Sequence, residues 1–122
     1  MYDLSVTTDF SSAHFLRGYN GPCENLHGHT WKVEIVISAD QLNGIGLVVD
    51  FREIKDKLKA FIGHLDHISL NDLPYFQEIN TTTENLARYI YDEFSQHCQP
   101  HRLKQVRVWE SDTCSVTYSP DR

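Results

Sequence analysis

Two stretches of regular alternation constrain this chain more than any other feature. Over residues 2–10, Tyr2, Leu4, Val6, Thr8 and Phe10 fall on one side, and Asp3, Ser5, Thr7 and Asp9 on the other. Over residues 30–39, Trp31, Val33, Ile35 and Ile37 face one way and Lys32 and Glu34 the other. A period of two with one apolar side predicts half-buried strands, and something must cover that side. Two amphipathic segments supply the cover. Asp50, followed by Glu53 in a capping-box-like start, opens a helix with Ile54, Leu58, Phe61 and Ile62 on one face, and Gly63-His64 suggests its end. A second helix is predicted from Thr81, again with Glu84 following, and buries Leu86, Ala87, Ile90, Tyr91 and Phe94 before Gln99-Pro100-His101. Val106, Val108 and Glu110 alternate with Arg107 and Trp109 in a third strand. Ser111–Cys114 turns the chain, and Val116 and Tyr118 suggest a last short strand.

The order β-β-α-α-β-β predicts an α+β fold: a four-stranded antiparallel sheet with two helices on one face. Its other face would carry Ser5, Thr7, Lys32 and Glu34, polar but able to line an assembly. Open sheet edges invite pairing with neighbouring subunits, so the pattern is compatible with a homo-oligomer without requiring one. A length of 122 residues suits one domain, 1–122, with one core.

Composition narrows the functional classes. Hydrophobic residues make up 40% and charged residues 23%, an ordinary globular balance. No apolar run approaches the roughly 18 residues that span a bilayer, so no membrane partner is expected. Met1-Tyr2-Asp3-Leu4 lacks the basic and then apolar regions of a signal peptide, and a cytoplasmic location is expected. Cys23, Cys98 and Cys114 show no disulfide-framework spacing and read as reduced thiols. A net charge of −6 argues against a nucleic-acid surface, leaving an anionic small substrate possible only through a local basic site.

The chemistry concentrates in Cys23-Glu24-Asn25-Leu26-His27-Gly28-His29. If a strand begins at His27, then His27 and His29 share a face with Trp31, and two imidazoles are offered to one ion. Gly28 leaves the opposite side bare. His14, beside them by hairpin pairing, is the best-placed third ligand for an open catalytic zinc site. The plainer reading of such a pair is a surface or hydrogen-bonded feature. Cys23 is either a small buried hydrophobe or a reactive group, favoured as thiolate if a metal is near. Asp66-His67 is either a turn or a proton-shuttling dyad. Glu110 ends an otherwise apolar-facing strand, so it is either exposed there or recognises a donor-rich ligand edge.

Taken together, Phe10-Ser11-Ser12-Ala13-His14, Cys23 to His29, Val49-Asp50-Phe51, Leu65-Asp66-His67, Thr82-Thr83-Glu84-Asn85 and Val108-Trp109-Glu110 resemble the superfamily of 6-pyruvoyltetrahydropterin and 6-carboxytetrahydropterin synthases, in the family's order and over nearly the whole chain. The resemblance implies the tunnelling fold (T-fold), in which subunits join their sheets into barrels as a hexamer made of two trimers. It implies zinc (Zn2+) held by His14, His27 and His29, Cys23 as catalytic cysteine, and His67 with Asp66 as proton-transfer dyad. Glu110 matches the pterin anchor, and Thr82, Thr83 and Glu84 match a segment lining the pterin pocket. The three residues between Cys23 and His27 match the carboxy-forming enzymes, whereas the animal pyruvoyl-forming loop is longer by two. The implied reaction converts 7,8-dihydroneopterin triphosphate to 6-carboxy-5,6,7,8-tetrahydropterin, releasing acetaldehyde and triphosphate on the way to queuosine-type 7-deazapurines. Three alternatives stand beside it: the pyruvoyl-forming synthase, a non-catalytic pterin- or metal-binding module, and a generic zinc hydrolase.

Overall fold

A computed structural model describes residues 1–120. The elements are β1 (Tyr2–His14), β2 (His27–Ala39), α1 (Phe51–Ile62), α2 (Thr83–Phe94), β3 (Arg102–Ser111) and β4 (Cys114–Tyr118). The four strands form an antiparallel sheet in the order β1-β2-β3-β4. This is the predicted α+β architecture. Among the described residues no helix is long and apolar enough to cross a membrane.

The core lies between the sheet and the helices. Trp31, Val33, Ile35 and Ile37 of β2 are fully buried, as are Ile54 and Leu58 of α1 and Leu86, Ala87, Ile90 and Phe94 of α2. Each large aliphatic or aromatic side chain removed from water contributes about 1.5–3 kcal/mol before the cost of ordering it. Tyr91, expected to be buried, is only partly so, and its hydroxyl donates to the Leu103 carbonyl at 2.9 Å. The opposite face of the sheet exposes Ser5, Thr7 and Lys32. There Trp109 is flanked by the cationic ends of Lys32 and Arg107, 4.8 and 4.4 Å from its ring.

The visible apolar alternation stops at Phe10, yet β1 runs on to His14. Its last inward places go to Ser12 and His14, both buried but polar, so hydrophobic period alone cannot reveal them. The helix starts also separate instructively. Asp50 caps α1 by accepting the Arg52 N–H at 2.8 Å, while Glu53 lies 3.8 Å from Lys57 along the helix. The second cap is Thr82 rather than Thr81: its hydroxyl accepts the Asn85 N–H at 3.1 Å and α2 begins at Thr83. Thr81 is fully buried and bonded elsewhere. Its neighbour in the Thr-Thr-Thr run is equally suited to capping, so composition could not choose between them.

Candidate metal centre

The hairpin register brings the histidines together. In the β1–β2 ladder His14 pairs with His27 and Ser12 with His29, so all three imidazoles project from the core-facing side at one end of the sheet. Their ring centroids lie 4.6 Å (His14–His27), 5.2 Å (His14–His29) and 4.8 Å (His27–His29) apart. One nitrogen from each comes within 4.8 Å of the others, a group able to hold a metal ion. Trp31 forms the floor, its ring 4.9 Å from His14 and 5.2 Å from His29. Its indole N–H donates to the Ser12 carbonyl at 3.2 Å, which fixes the floor to β1.

Backbone carbonyls set the tautomers. His14 Nδ1 lies 2.8 Å from the Thr81 carbonyl, and His27 Nδ1 lies 2.7 Å from the Asn25 carbonyl. A carbonyl only accepts, so both Nδ1 atoms carry hydrogen and each Nε2 keeps its lone pair. Nε2 of His14 and Nε2 of His29 are buried without a hydrogen-bond partner. An orphaned buried polar atom costs about 1–3 kcal/mol, and a cation at the point of convergence would remove that cost. Burial pulls the pKa of His14 and of His29 below the ordinary histidine range, with Glu110 partly opposing the shift in each. Neutral imidazole is the ligating form. The donor set therefore fits a metal of zinc type.

Glu110 borders this cluster. The register Lys32↔Trp109 carries it to the inward side next to Trp31, and its Oε1 lies 3.4 Å from His29 Nε2. That approach is not a hydrogen bond, and it would become a charge attraction only with His29 protonated, a form that burial disfavours. Its other oxygen accepts the Thr83 hydroxyl at 2.9 Å. The carboxylate is neither buried alone nor free at a strand end. Of the neighbouring residues, Thr83 thus reaches Glu110, Thr82 caps α2, and Glu84 is exposed on the first helical turn.

Asp66 and His67 lie along the outer edge of β1. The Ser11 N–H donates to Asp66 Oδ1 at 2.9 Å, the His67 N–H donates to the Ser11 carbonyl at 2.6 Å, and the Ala13 N–H donates to the Ile68 carbonyl at 3.0 Å. Ser12 Oγ also donates to the Leu65 carbonyl. His67 adopts a left-handed backbone, φ 58°, and its Nδ1 meets Asp66 Oδ1 at 3.0 Å. Adjacent side chains that would ordinarily diverge are thereby paired, at an uncommon φ for a residue other than glycine. The Ser11 N–H, more than His67, holds the Asp66 carboxyl below its usual range. Cys23 is half-buried in the short turn Pro22–Glu24. Its carbonyl accepts the Leu16 N–H at 2.8 Å, which ties its loop to the chain leaving His14.

Several contributors escape a reading based on side-chain type. Thr81 and Asn25 act on the histidines through main-chain carbonyls, and Asn71 and Asn80 clasp the backbone after β1. For Asn71, Asn80 and Thr81 the hint in the sequence is their clustering with Thr82 between the helices, and for Asn25 there is none.

A tunnelling-fold sheet-and-helix layer, with three histidines able to hold a metal at one end of the sheet, defines the class of protein. The chain belongs to the 6-pyruvoyl tetrahydropterin synthase family, whose model matches residues 3–121. It is 30% identical to the 6-carboxy-5,6,7,8-tetrahydropterin synthase of Haemophilus influenzae, over 97% of this chain and 99% of that protein. Identity to the Bacillus subtilis protein of the same name is 33%, over 99% and 87%. The human 6-pyruvoyl tetrahydrobiopterin synthase is 34% identical over 80% of this chain and 70% of its own length. Among solved structures, 6-pyruvoyl tetrahydropterin synthase from Caenorhabditis elegans superposes with a TM-score of 0.87 at 23% identity, covering 97% of this chain and 94% of that one. That likeness is one of fold.

Proposed function

We propose that this chain is a zinc-dependent lyase converting 7,8-dihydroneopterin triphosphate to 6-carboxy-5,6,7,8-tetrahydropterin, with release of acetaldehyde and triphosphate, in the supply of queuosine-type 7-deazapurines. The observation that carries this reading is Glu110, a carboxylate oriented by Thr83 and set 3.4 Å from one histidine of the cluster. In a zinc hydrolase a carboxylate there would serve as general base; the family match over residues 3–121 favours pterin chemistry instead. The amino-pyrimidine edge of a pterin, rich in N–H donors, is complementary to such a fixed acceptor. The carboxy product is favoured over the pyruvoyl one by near full-length correspondence with the two bacterial relatives and by the three-residue spacing from Cys23 to His27.

In this reading His14, His27 and His29 hold the metal. Bound zinc would act as a Lewis acid toward the substrate's side-chain hydroxyls. Glu110 accepts hydrogen bonds from the pterin edge and fixes the ring. Cys23 removes a carbon-bound proton from the side chain, and His67, oriented by Asp66, moves protons during the redox exchange between side chain and ring. Thr82 and Glu84 complete the pterin-lining segment with Thr83. Active sites lie near subunit interfaces of a hexamer.

Incubation with 7,8-dihydroneopterin triphosphate and mass analysis of the products tests the proposal. Acetaldehyde and the 6-carboxy pterin should appear in equal amounts. A 6-pyruvoyl product without acetaldehyde would establish the alternative synthase, and pterin binding without turnover would establish a binding module.

A further inference from the structure

The chain leaving β1 is held more heavily than a loop exit requires. Asn71, buried within the turn Leu70–Asp72, makes a two-point clasp on Phe15. The Phe15 N–H donates to Asn71 Oδ1 at 3.0 Å, and Asn71 Nδ2 donates to the Phe15 carbonyl at 3.0 Å. Thr81, fully buried, lies against the same pair. Its hydroxyl is 3.1 Å from the Phe15 carbonyl and 3.2 Å from Asn71 Oδ1, so a single hydrogen is shared between two acceptors. The Thr81 carbonyl, in turn, accepts the His14 Nδ1–H at 2.8 Å. Because His14 and Phe15 are covalent neighbours, these bonds close a ring: His14 to Thr81, Thr81 to Asn71 and Phe15, and Phe15 back to His14. Asn80 repeats the clasp on Arg17, at 2.9 Å for each of its two bonds, and so braces the chain beyond Thr81's contact.

This ring does something that simple loop closure does not. An imidazole restrained only by its backbone samples several rotamers and both tautomers. A carbonyl fixed at Nδ1 selects the Nδ1–H form and turns Nε2 toward His27 and His29. We infer that Asn71 and Thr81 are positioning residues for a divalent metal: they lock the Thr81 carbonyl against His14 so that the ring presents Nε2 as a preorganised ligand. The inference rests on the metal reading proposed above and assigns its geometry to residues that touch neither metal nor substrate.

Two measurements on the purified chain separate this inference from that reading. Nitrogen-15 NMR of the metal-free protein should show His14 protonated at Nδ1 and unprotonated at Nε2. Zinc titration against a competing chelator should show about tenfold weaker binding for Asn71→Ala and Thr81→Val, with Thr81→Ser within about twofold of wild type. In the same valine variant the His14 signals should report a mixture of tautomers. Should Asn71→Ala fail to fold, Thr81→Val, nearly isosteric and checked by near-UV circular dichroism, carries the comparison. A folded Thr81→Val protein with wild-type zinc affinity, or a wild-type His14 protonated at Nε2, would overturn the positioning role. A wild-type chain that binds no zinc would instead remove the metal reading, while the tautomer result would still judge the clamp.

Discussion

Glu110 is shared between Thr83 and His29: one carboxylate oxygen accepts the Thr83 hydroxyl at 2.9 Å, and the other stands 3.4 Å from His29 Nε2. The strand end and the first residue of α2 thereby meet beside the histidine cluster. A charged acceptor held from one side has a fixed direction, which is what recognition of a planar donor edge requires.

Glu110→Gln and Thr83→Val should therefore differ in degree. The glutamine variant replaces a charge-assisted acceptor by a group that is half donor, and loss of such bonds costs about 1.5–3 kcal/mol. Pterin affinity should fall about 10- to 100-fold. Thr83→Val leaves the charge but frees its direction, and a loss of about tenfold or less is expected. Calorimetric titration with a non-reacting pterin measures both. Equal affinity in Glu110→Gln and wild type would place the anchor elsewhere.

Cys23 should separate binding from chemistry. Its carbonyl, not its side chain, fastens the loop to Leu16, so Cys23→Ala removes the thiol while leaving that hydrogen bond available. Zinc content and pterin binding should stay near wild type, while turnover falls about 10²- to 10⁴-fold, the usual range for loss of a general base. Undiminished turnover would move the base to another group, with His67 the first to test.

The legibility of this chain follows the kind of signal each residue carries. Wherever inward positions were apolar, as at Val6, Phe10, Trp31 and Ile35, period alone located strand and face. Ser12 and His14 take inward positions too, but polar side chains break the pattern that announces burial. The proximity of His27, His29 and His14 followed from strand alternation and hairpin pairing, and the ladder places His14 opposite His27. Thr81 and Asn25 were invisible for a different reason: every residue has a carbonyl, so the sequence carries no mark of which ones face an imidazole. The Asp66–His67 contact depended on a left-handed backbone at His67, a conformation that residue type permits without announcing.

Assembly offers an independent test. The sheet exposes a polar face bearing Ser5, Thr7 and Lys32, and within the described chain β1 and β4 are its outer strands. The end of β1 is already met by the backbone of His67 and Ile68, so β4 and the earlier part of β1 are the edges offered to another chain's strands. Light scattering at micromolar concentration should give the mass of a hexamer. A fully active monomer would remove the barrel from the proposal.

Acidity should act in two separate windows. His14 and His29 have pKa values lowered by burial, so below the ordinary value of about 6.5 the unfolded chain takes up protons that the folded site resists. Stability from these groups is complete above that value and is lost as pH falls through it toward their lowered folded values. Asp66 is also lowered, chiefly by the Ser11 N–H, and its contribution is lost only further down, below about 3.9. Urea unfolding of the metal-free protein should thus be level from pH 8 to near 6.5, then weaken, with a second decline in strong acid. Bound zinc should extend the level region downward, since protons must displace the metal to reach Nε2. The double variant His14→Gln, His29→Gln should lose the first decline and keep the second, whereas Asp66→Asn should keep the first and only weaken the second, because Asp3, held low by its bond to Lys104, contributes there too. An unchanged first decline in the double variant would remove His14 and His29 as the source of acid sensitivity.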